Sequence, residues 1–229
     1  MQVSAQNGHA AAPRSSGHGS APDTLDLLEQ FGTNVSFGRD QEIHPEGADA
    51  LYAYTVVSGC VRTVKLMEDG RRQVGEFLLP GDMFGLDALG THDFAAEAVT
   101  DVVLRRYPRR MVEALAESHA ALSRRLREMA LDSLRTAHGR MVLLGRKTAA
   151  ERIATFLLEM ARRTGMRASG MLDLPMNRAD MADHLGLTVE TICRVLAQMK
   201  RDRIVGSTRT GVELRDRQAL RDLACEACT

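Results

Sequence analysis

Residues 178–196 read RADMADHLGLTVETICRVL, and this stretch predicts two short helices joined by a tight turn. Met181 and Leu185 lie four residues apart, so they share one face of the first helix. Gly186 can take the left-handed conformation that ends this helix. Thr188 supplies a hydroxyl that can cap the next one. The spacing predicts a helix-turn-helix of the kind that places its second helix in the major groove of DNA.

The second helix of this pair is expected to have an inward and an outward side. Ile192 and Val195 are apolar and face the first helix, while the small Ala182 lets the two helices cross closely. The residues expected to meet DNA, counting the capping residue, are Thr188, Val189, Glu190, Cys193 and Arg194. An arginine can donate two hydrogen bonds to guanine, and a glutamate can accept one from a cytosine amino group. An ion pair between the two side chains would also hold them in place for the bases.

A β-hairpin is predicted directly after this unit. Ile204 and Val205 on one side and Val212 and Leu214 on the other flank the sequence TRTG at residues 208–211, which is typical of a turn. The hairpin would form the wing of a winged helix-turn-helix. Arg209, near its tip, is expected to contact a phosphate.

The region from about residue 36 to residue 107 has short apolar runs separated by turns. LYAYTVVSGCVRTVKL is strand-like, and the Asp69-Gly70 pair between two such runs predicts a hairpin. Pro80, Gly81 and Asp82 form another predicted turn. Several short strands at this spacing predict an α+β chain that begins with a β-roll.

After Pro108 the sequence becomes rich in helix-forming residues and contains a long helix that follows a short one, with a break near Ser118. One stripe of the long helix is predicted to form a subunit interface: Leu122, Leu126, Met129 and Ser133. Leu131 and Leu134 lie off that stripe, so a second face of the helix is also expected to be covered. The alternative is one broad face that packs only within the subunit. Residues 147–163 predict another amphipathic helix, and residues 164–170 a linker.

These patterns divide the chain into five segments. They are a disordered tail (1–23), a β-roll (24–108), connecting and dimerisation helices (109–146), a winged helix-turn-helix (147–217) and a C-terminal tail (218–229). The net charge of zero conceals an asymmetry, because residues 1–108 have 8 basic and 15 acidic residues whereas residues 109–229 have 22 and 15. The basic half is therefore expected to bind a polyanion.

The composition also limits where the protein works and what it binds. No apolar run is long enough for a membrane span, and the N-terminus lacks the apolar segment of a secretory signal. The four cysteines are Cys60, Cys193, Cys225 and Cys228, too few for a disulfide framework, which favours the cytoplasm. Cys225 and Cys228 have no second pair to complete a metal site, so no metal is expected.

A strand-rich domain, a long helix and a winged unit containing LGLTVETICRVL together resemble the CRP/FNR superfamily of bacterial transcription regulators over residues 24–217. GRKTAAERIATFLLEMARR is most similar to the FNR/FixK branch. That branch reads a TTG…CAA-type palindrome through a Glu-x-x-Ser-Arg signature, which Glu190 and Arg194 match while Cys193 replaces the serine. The resemblance also places Arg178 at a phosphate. It implies a homodimer with a jelly roll of the cyclic-nucleotide-binding type, and an activator that contacts double-stranded DNA and RNA polymerase.

The cofactors of this superfamily do not match the sequence. The N-terminal tail has no cysteine for an iron–sulfur cluster. Leu86 stands where cyclic-AMP-binding members have a glutamate, and His92 and Asp93 replace their Arg-Ser pair. No cofactor is therefore expected, and a FixK-like regulator controlled by its abundance is the favoured interpretation. Oxidation of Cys193 at the DNA surface is a further hypothesis, against a thiol that merely packs on a thymine methyl.

Two alternatives remain. One is a regulator of the same shape that senses a small effector such as haem, for which His44, His92 and Met83 are conceivable ligands. The other is a metalloenzyme built on the β-roll, of the cupin kind. Such enzymes need clustered histidines, and EIHPE at residues 42–46 offers a single one. An enzyme is not expected, because the sequence also contains no nucleophile motif or phosphate-binding loop.

Overall fold

The computed structural model describes residues 26–86, 90–165, 170–207 and 211–224. Its strands are β1 (Thr33–Phe37), β2 (Glu42–His44), β3 (Tyr52–Ser58), β4 (Val61–Leu66), β5 (Arg72–Leu78), β6 (Met83–Phe84), β7 (Ala95–Ala98), β8 (Val102–Pro108), β9 (Met171–Asp173), β10 (Val205–Ser207) and β11 (Gly211–Leu214). Its helices are α1 (Asp26–Glu29), α2 (Arg109–Ser118), α3 (Ala120–Arg146), α4 (Ala149–Thr164), α5 (Arg178–Leu185), α6 (Val189–Arg201) and α7 (Arg217–Leu223). Each of these helices is too short or too polar to cross a lipid bilayer.

The first eight strands form the β-roll that the sequence predicts. Two antiparallel four-stranded sheets, ordered β1-β8-β3-β6 and β2-β7-β4-β5, pack face to face. Alternate residues of both sheets point inward, so the space between them is apolar. This inner core consists of Tyr54, Val56, Val61, Leu78, Phe84, Ala96, Ala98, Val102 and Leu104. The Asp69-Gly70 turn joins β4 and β5, with Gly70 at φ +82°.

The break between α2 and α3 also falls where the sequence predicts it, because His119 is extended at φ −125° and ψ 95°. Leu122, in the first turn of α3, is 0% exposed and packs with Ala53, Tyr107 and Val112 of its own chain. Leu126 packs on the same cluster. A side chain enclosed within its subunit cannot contact a second one, which corrects the assignment of Leu122 to the subunit interface.

The rest of the predicted stripe also turns toward its own chain. Met129 and Ser133 line a cavity between α3, α4 and the β5–β6 turn. The large apolar residues that α3 leaves exposed are on its other side: Leu131, Leu134, Met141 and Val142. The large apolar side chains that α3 exposes therefore lie off the predicted stripe, on which Met129 is half-buried and Ser133 is exposed.

The C-terminal unit is built on α4. Thr148 and Glu151 form a capping box at its start, in which each side chain bonds the backbone N–H of the other residue. The wing hairpin of β10 and β11 is extended by β9, so the order is β10-β11-β9. The sequence showed no signal for β9, which has three residues.

The predicted tail from residue 218 is wrong for its first part. Arg217–Leu223 form α7, and Leu220 is fully buried where α7 packs on α4. Asp216 caps this helix, since its side chain accepts a hydrogen bond of 2.9 Å from the N–H of Ala219. The predicted N-terminal tail (1–23), Cys225 and Cys228 lie outside the described residues.

Candidate nucleic-acid interface

The first helix of the helix-turn-helix, α5, has a defined cap at each end. Asn177, which the sequence analysis did not single out, accepts a hydrogen bond of 2.9 Å from the N–H of Asp180. Gly186 ends the helix in the left-handed conformation, at φ 60° and ψ 43°, as the sequence predicts. Arg152 of α4 donates to the carbonyl of Leu185 at 2.9 Å, so a carbonyl at the end of α5 is also satisfied.

The second helix, α6, begins at the predicted cap. The Thr188 side chain accepts a hydrogen bond of 3.1 Å from the N–H of Thr191. Ile192, Leu196 and Met199 are buried against the core of the C-terminal unit, and Val195 is partly buried there. The inward face of α6 thus contains the residues that the spacing assigned to it.

The outward face of α6 is open to solvent at its N-terminal half. Val189 is 44% exposed, and Glu190, Cys193 and Arg194 are exposed as well. In helix-turn-helix proteins the N-terminal residues of the second helix are the ones that contact base edges. Within the described part of the chain, no ion pair joins Glu190 to Arg194, which corrects the expected pairing. Both side chains are therefore left to bond an outside partner.

Arg178, at the first position of α5, lies beside this face. It is half-buried, its guanidinium donates to the sulfur of Met181 at 3.2 Å, and it is close enough to Cys193 to interact with it electrostatically. Burial lowers the pKa of Arg178 below the usual arginine value. The fold thus brings Arg178 of α5 close to the exposed α6 residues, although Arg178 belongs to a different helix. Arg209 lies outside the described residues.

Comparison with known proteins identifies the family of the chain. Residues 151–223 match the family described as a Crp-like helix-turn-helix domain, and residues 34–119 match the cyclic nucleotide-binding domain family. The nitrogen fixation regulation protein FixK of Azorhizobium caulinodans is 44% identical over 202 residues, which cover 86% of this chain and 81% of the relative. The chain belongs to the CRP/FNR superfamily of transcription regulators. Its place is in the FixK-like branch, and it is a DNA-binding regulator rather than an enzyme.

Two further comparisons support this membership. The protein of the same name from Bradyrhizobium diazoefficiens is 36% identical over 225 residues, 95% of either chain. The solved structure of FixK2 from Bradyrhizobium japonicum has a TM-score of 0.81 and 46% identity, and the match covers 86% of this chain and 99% of that one. The β-roll, the long helix and the winged unit of this FixK-like chain are therefore arranged as in a solved relative.

The two described cysteines of this FixK-like regulator have opposite environments. Cys60 is buried in the β-roll, and burial raises the pKa of its thiol to about 12. Cys193 is exposed on α6, in the electrostatic range of Arg178. Because the thiolate is the form that reacts with oxidants, Cys60 is inert at neutral pH. Cys193 is the one of these two that an oxidant in solution can reach.

The possible haem ligands His44, His92 and Met83 do not belong to a cluster of metal-binding side chains in the described residues. The rings of His44 and His92 stack face to face with 3.6 Å between their centroids. Met83 packs against the apolar cluster of Leu122. No group of three or more His, Cys, Asp or Glu side chains in the described part of the chain could hold a metal.

Proposed function

We propose that this chain is a homodimeric transcription activator that reads a TTG…CAA-type palindrome with one α6 helix from each subunit. The observation that carries the proposal is the exposed row of Val189, Glu190, Cys193 and Arg194 on a helix whose opposite side is buried. A buried inward face holds the helix firmly, and the exposed side chains are at the end of the helix that enters the groove.

Each exposed residue has a proposed task. Arg194 donates two hydrogen bonds to a guanine, and Glu190 accepts one from a cytosine amino group. Arg178 and Thr188 contact phosphates at the edge of the groove, as does Arg209 from the wing. Cys193 occupies the position where the FNR/FixK signature has a serine, so the base that it faces is contacted by a thiol or left uncontacted.

The proposed dimer interface is the open face of α3 instead of the predicted stripe. Leu131, Leu134 and Met141 are separated by three and seven residues, which is the spacing of a helix-pairing seam, and Val142 adjoins them. A dimer that reads a palindrome needs its two α6 helices on one side of DNA, about 34 Å apart. Leu131→Glu and Leu134→Glu should give a monomer in sedimentation equilibrium. Leu66→Glu, which alters an equally exposed leucine of the β-roll, should leave the dimer intact.

An activating role is supported by relatives rather than by a local contact. FnrL of Cereibacter sphaeroides, 37% identical over 189 residues, is named a transcriptional activator. In the proposed complex with the palindrome, the acidic β-roll points away from DNA. We propose that its exposed surface contacts RNA polymerase. As a regulator of bacterial genes, the protein is proposed to work in the cytoplasm.

Binding of DNA is proposed to need neither cyclic nucleotide nor an iron–sulfur cluster. Leu86 packs against the apolar cluster of Tyr107 and Leu122, whereas cyclic AMP would require a glutamate at this position. His92, which stands where those members have the arginine, is buried and stacks on the ring of His44. The sequence before the β-roll lacks the cysteines that would hold a cluster.

Oxidation of Cys193 is proposed to weaken DNA binding. A sulfenic or sulfinic acid adds bulk, and in the second case negative charge, on the surface that must approach DNA. Peroxide should therefore lower the affinity of the wild-type protein but not of Cys193→Ser. An equal loss in both proteins would assign the effect to another cysteine and contradict the proposal.

The experiment that tests the proposed function is a fluorescence-anisotropy titration of reduced protein onto a TTG…CAA palindrome and onto a scrambled duplex. A preference for the palindrome of about a thousandfold, at physiological salt, is the expected result, since specific binders begin at this ratio. Equal, weak and salt-sensitive binding to both duplexes would contradict it.

A ligand-responsive regulator is the second candidate, and one observation favours it. A cavity of about 300 Å³ lies between β5, α3 and α4, and Arg140 extends into it, half-buried. Arginine and carboxylate side chains line the cavity in equal numbers, so its charge selects no particular ligand. If only cell extract restores palindrome binding to an inactive protein, this candidate replaces the first.

A further inference from the structure

The face of the β-roll that contacts the helix-turn-helix contains a buried cluster of opposite charges. Asp180, in the first turn of α5, has a side chain that is only 1% exposed. Arg62 of β4 donates from Nη1 to both Asp180 oxygens, at 3.1 and 3.2 Å. Two partners from the β-roll itself, Asp40 and Glu97, bond the other nitrogens of Arg62. A buried charge is stable only with such partners, so this contact fixes α5 against β4.

A second arginine of the β-roll holds the same helix. Arg72 of β5 donates from Nη2 to Asp180 at 2.7 Å and from Nε to Asp183 at 2.8 Å. Asp180 and Asp183 are three residues apart, so they lie on the same side of α5. We refer to Arg62, Arg72, Asp180 and Asp183 as the clasp. Its two arginines come from the β-roll, and its two carboxylates come from the DNA-binding unit.

An apolar layer extends the same contact. His184 of α5 lies against the rings of Phe77 and Phe156, at centroid distances of 5.0 and 5.6 Å, and its Nδ1 is 3.3 Å from the carbonyl of Val74. β5 is the outer strand of its sheet, and α5 covers it. The contact therefore protects a sheet edge that would otherwise be open to solvent.

The clasp leaves the DNA-reading face free. α5 uses Asp180, Asp183 and His184 toward the β-roll, whereas α6 directs Glu190 and Arg194 to solvent. Because α5 and α6 pack on each other, a fixed α5 also fixes the direction of α6 relative to the β-roll. Since the β-roll continues into α2 and α3, this fixes α6 relative to the proposed dimer interface.

We propose that Arg62 and Arg72 are positioning residues for DNA reading, which hold the recognition helix α6 in its binding orientation by clasping α5. The inference rests on the proposed function and deepens it, because it explains how the orientation is set by the chain's own charges. Two α6 helices match two half-sites only at one spacing and angle. Releasing α5 spreads the protein over other orientations, and apparent affinity falls by the fraction that remains competent.

Two variants test the clasp without removing its most buried carboxylate. Arg72→Met removes a cation whose side chain is 27% exposed, and Asp183→Asn removes the charge of its partner while keeping the shape. For Asp183→Asn, the direction of the change in DNA affinity distinguishes the clasp from long-range electrostatics. Loss of a negative charge from a DNA-binding unit should strengthen DNA binding if only long-range electrostatics matters, whereas the clasp requires weaker binding.

The matched controls change the same charges outside the clasp. Arg71→Met alters the neighbouring residue, whose side chain is 80% exposed and bonds only Asp69 of its own turn among the described residues. Asp222→Asn alters an exposed carboxylate of α7 that accepts from Gln218. Both controls keep the fold and leave α5 in contact with β5.

The expected result for Arg72→Met is a Kd for the palindrome that rises about tenfold. Asp183→Asn should raise it by a smaller factor, because Arg72 keeps its bond to Asp180. The double variant should be no weaker than Arg72→Met alone, since that change already removes the partner of Asp183. The salt dependence of binding should stay unchanged, since a lost phosphate contact would instead reduce the slope by about one. The thermal midpoint of the controls and their Kd should match the wild type. Stronger binding by Asp183→Asn, or additive losses in the double variant, would overturn the proposal.

Hydrogen exchange in full-length protein provides a readout that does not depend on DNA. In Arg72→Met the amides of β5 should exchange faster than in the wild type while those of α4 stay protected, because α5 leaves the sheet edge but the C-terminal core persists. Unchanged exchange in β5 would overturn the clasp even if the palindrome is bound. The wild type could fail to prefer the palindrome while the β5 amides of Arg72→Met still exchange faster. That result would contradict the proposed function but support the clasp.

Discussion

The two sides of the helix-turn-helix use charge in opposite ways. On the α5 side, Asp180 and Asp183 each bond an arginine of the β-roll, and Asp180 is fully enclosed. On the α6 side, Glu190 and Arg194 are exposed and form no ion pair with each other in the described chain. Charges that hold a fold are partnered inside it, whereas charges intended for a ligand remain available. This difference supports the proposal that the α6 side is the one that faces DNA.

The largest expected effect is a difference in stability between substitutions on the buried and on the exposed side of α6. Ile192→Ala should lower the free energy of unfolding by about 2–5 kcal/mol, because it leaves a cavity in a fully packed core. Val189→Ala, on the exposed face, should change it by less than about 0.5 kcal/mol. Chemical denaturation of both variants measures the contrast. Similar losses would mean that the outward face of α6 is covered in solution.

The next largest effect is a loss of stability in acid, and it tests the side of α5 that contacts the β-roll. Burial, together with nearby Arg140 and Arg163, lowers the pKa of His184 to about 3 from 6.5. Below pH 6.5, His184 binds a proton in the unfolded chain but not in the folded chain. The free energy of unfolding therefore falls as the pH drops from about 6.5 toward 3. The loss from this residue approaches 1.4 kcal/mol per pH unit.

The variant His184→Gln, which cannot titrate, should therefore show a flatter decline of the thermal midpoint between pH 6 and 4 than the wild type. His138→Gln changes an exposed histidine of α3 and should keep the wild-type decline. A wild-type slope in His184→Gln would show that this imidazole is not excluded from solvent.

A smaller effect concerns the turn between the two sides. Thr188→Ala removes the side chain that accepts the N–H of Thr191, and this should cost about 1 kcal/mol. Thr188→Ser keeps the hydroxyl and should retain most of the stability. Denaturant titration of the pair measures it. Equal losses in the two variants would place the cost in the lost methyl group and not in the cap.

The features that the sequence predicted correctly depend on neighbours within a few residues. Gly186 and Thr188 satisfy a left-handed turn and a helix cap, which are backbone requirements of single positions. The inward face of α6 follows from spacing alone. The Asp69-Gly70 hairpin is local in the same sense.

The features that the sequence did not predict depend on distant partners. The periodicity of α3 shows that a face is apolar but not what covers it. It therefore predicts a second subunit at Leu122, although Ala53, Tyr107 and Val112 of the same chain enclose this side chain. Arg62 and Asp180 are 118 residues apart, and neither lies in a pattern that indicates the other. α7 has seven residues and β9 has three, too few for a periodic signal. The one hint of the clasp that the sequence offers is Arg62, which lies between the β-branched residues Val61 and Thr63 of a strand.

The central claim is that the exposed side of α6 reads bases, and the most direct measurement is the affinity of Arg194→Ala for the palindrome and for the scrambled duplex. The variant should bind the palindrome about 1–3 kcal/mol more weakly and lose selectivity at the guanine, while binding to the scrambled duplex changes little. Lys200→Ala, in the last turn of α6, provides the control and should keep the selectivity. An equal loss on both duplexes would make Arg194 a phosphate contact and contradict the account.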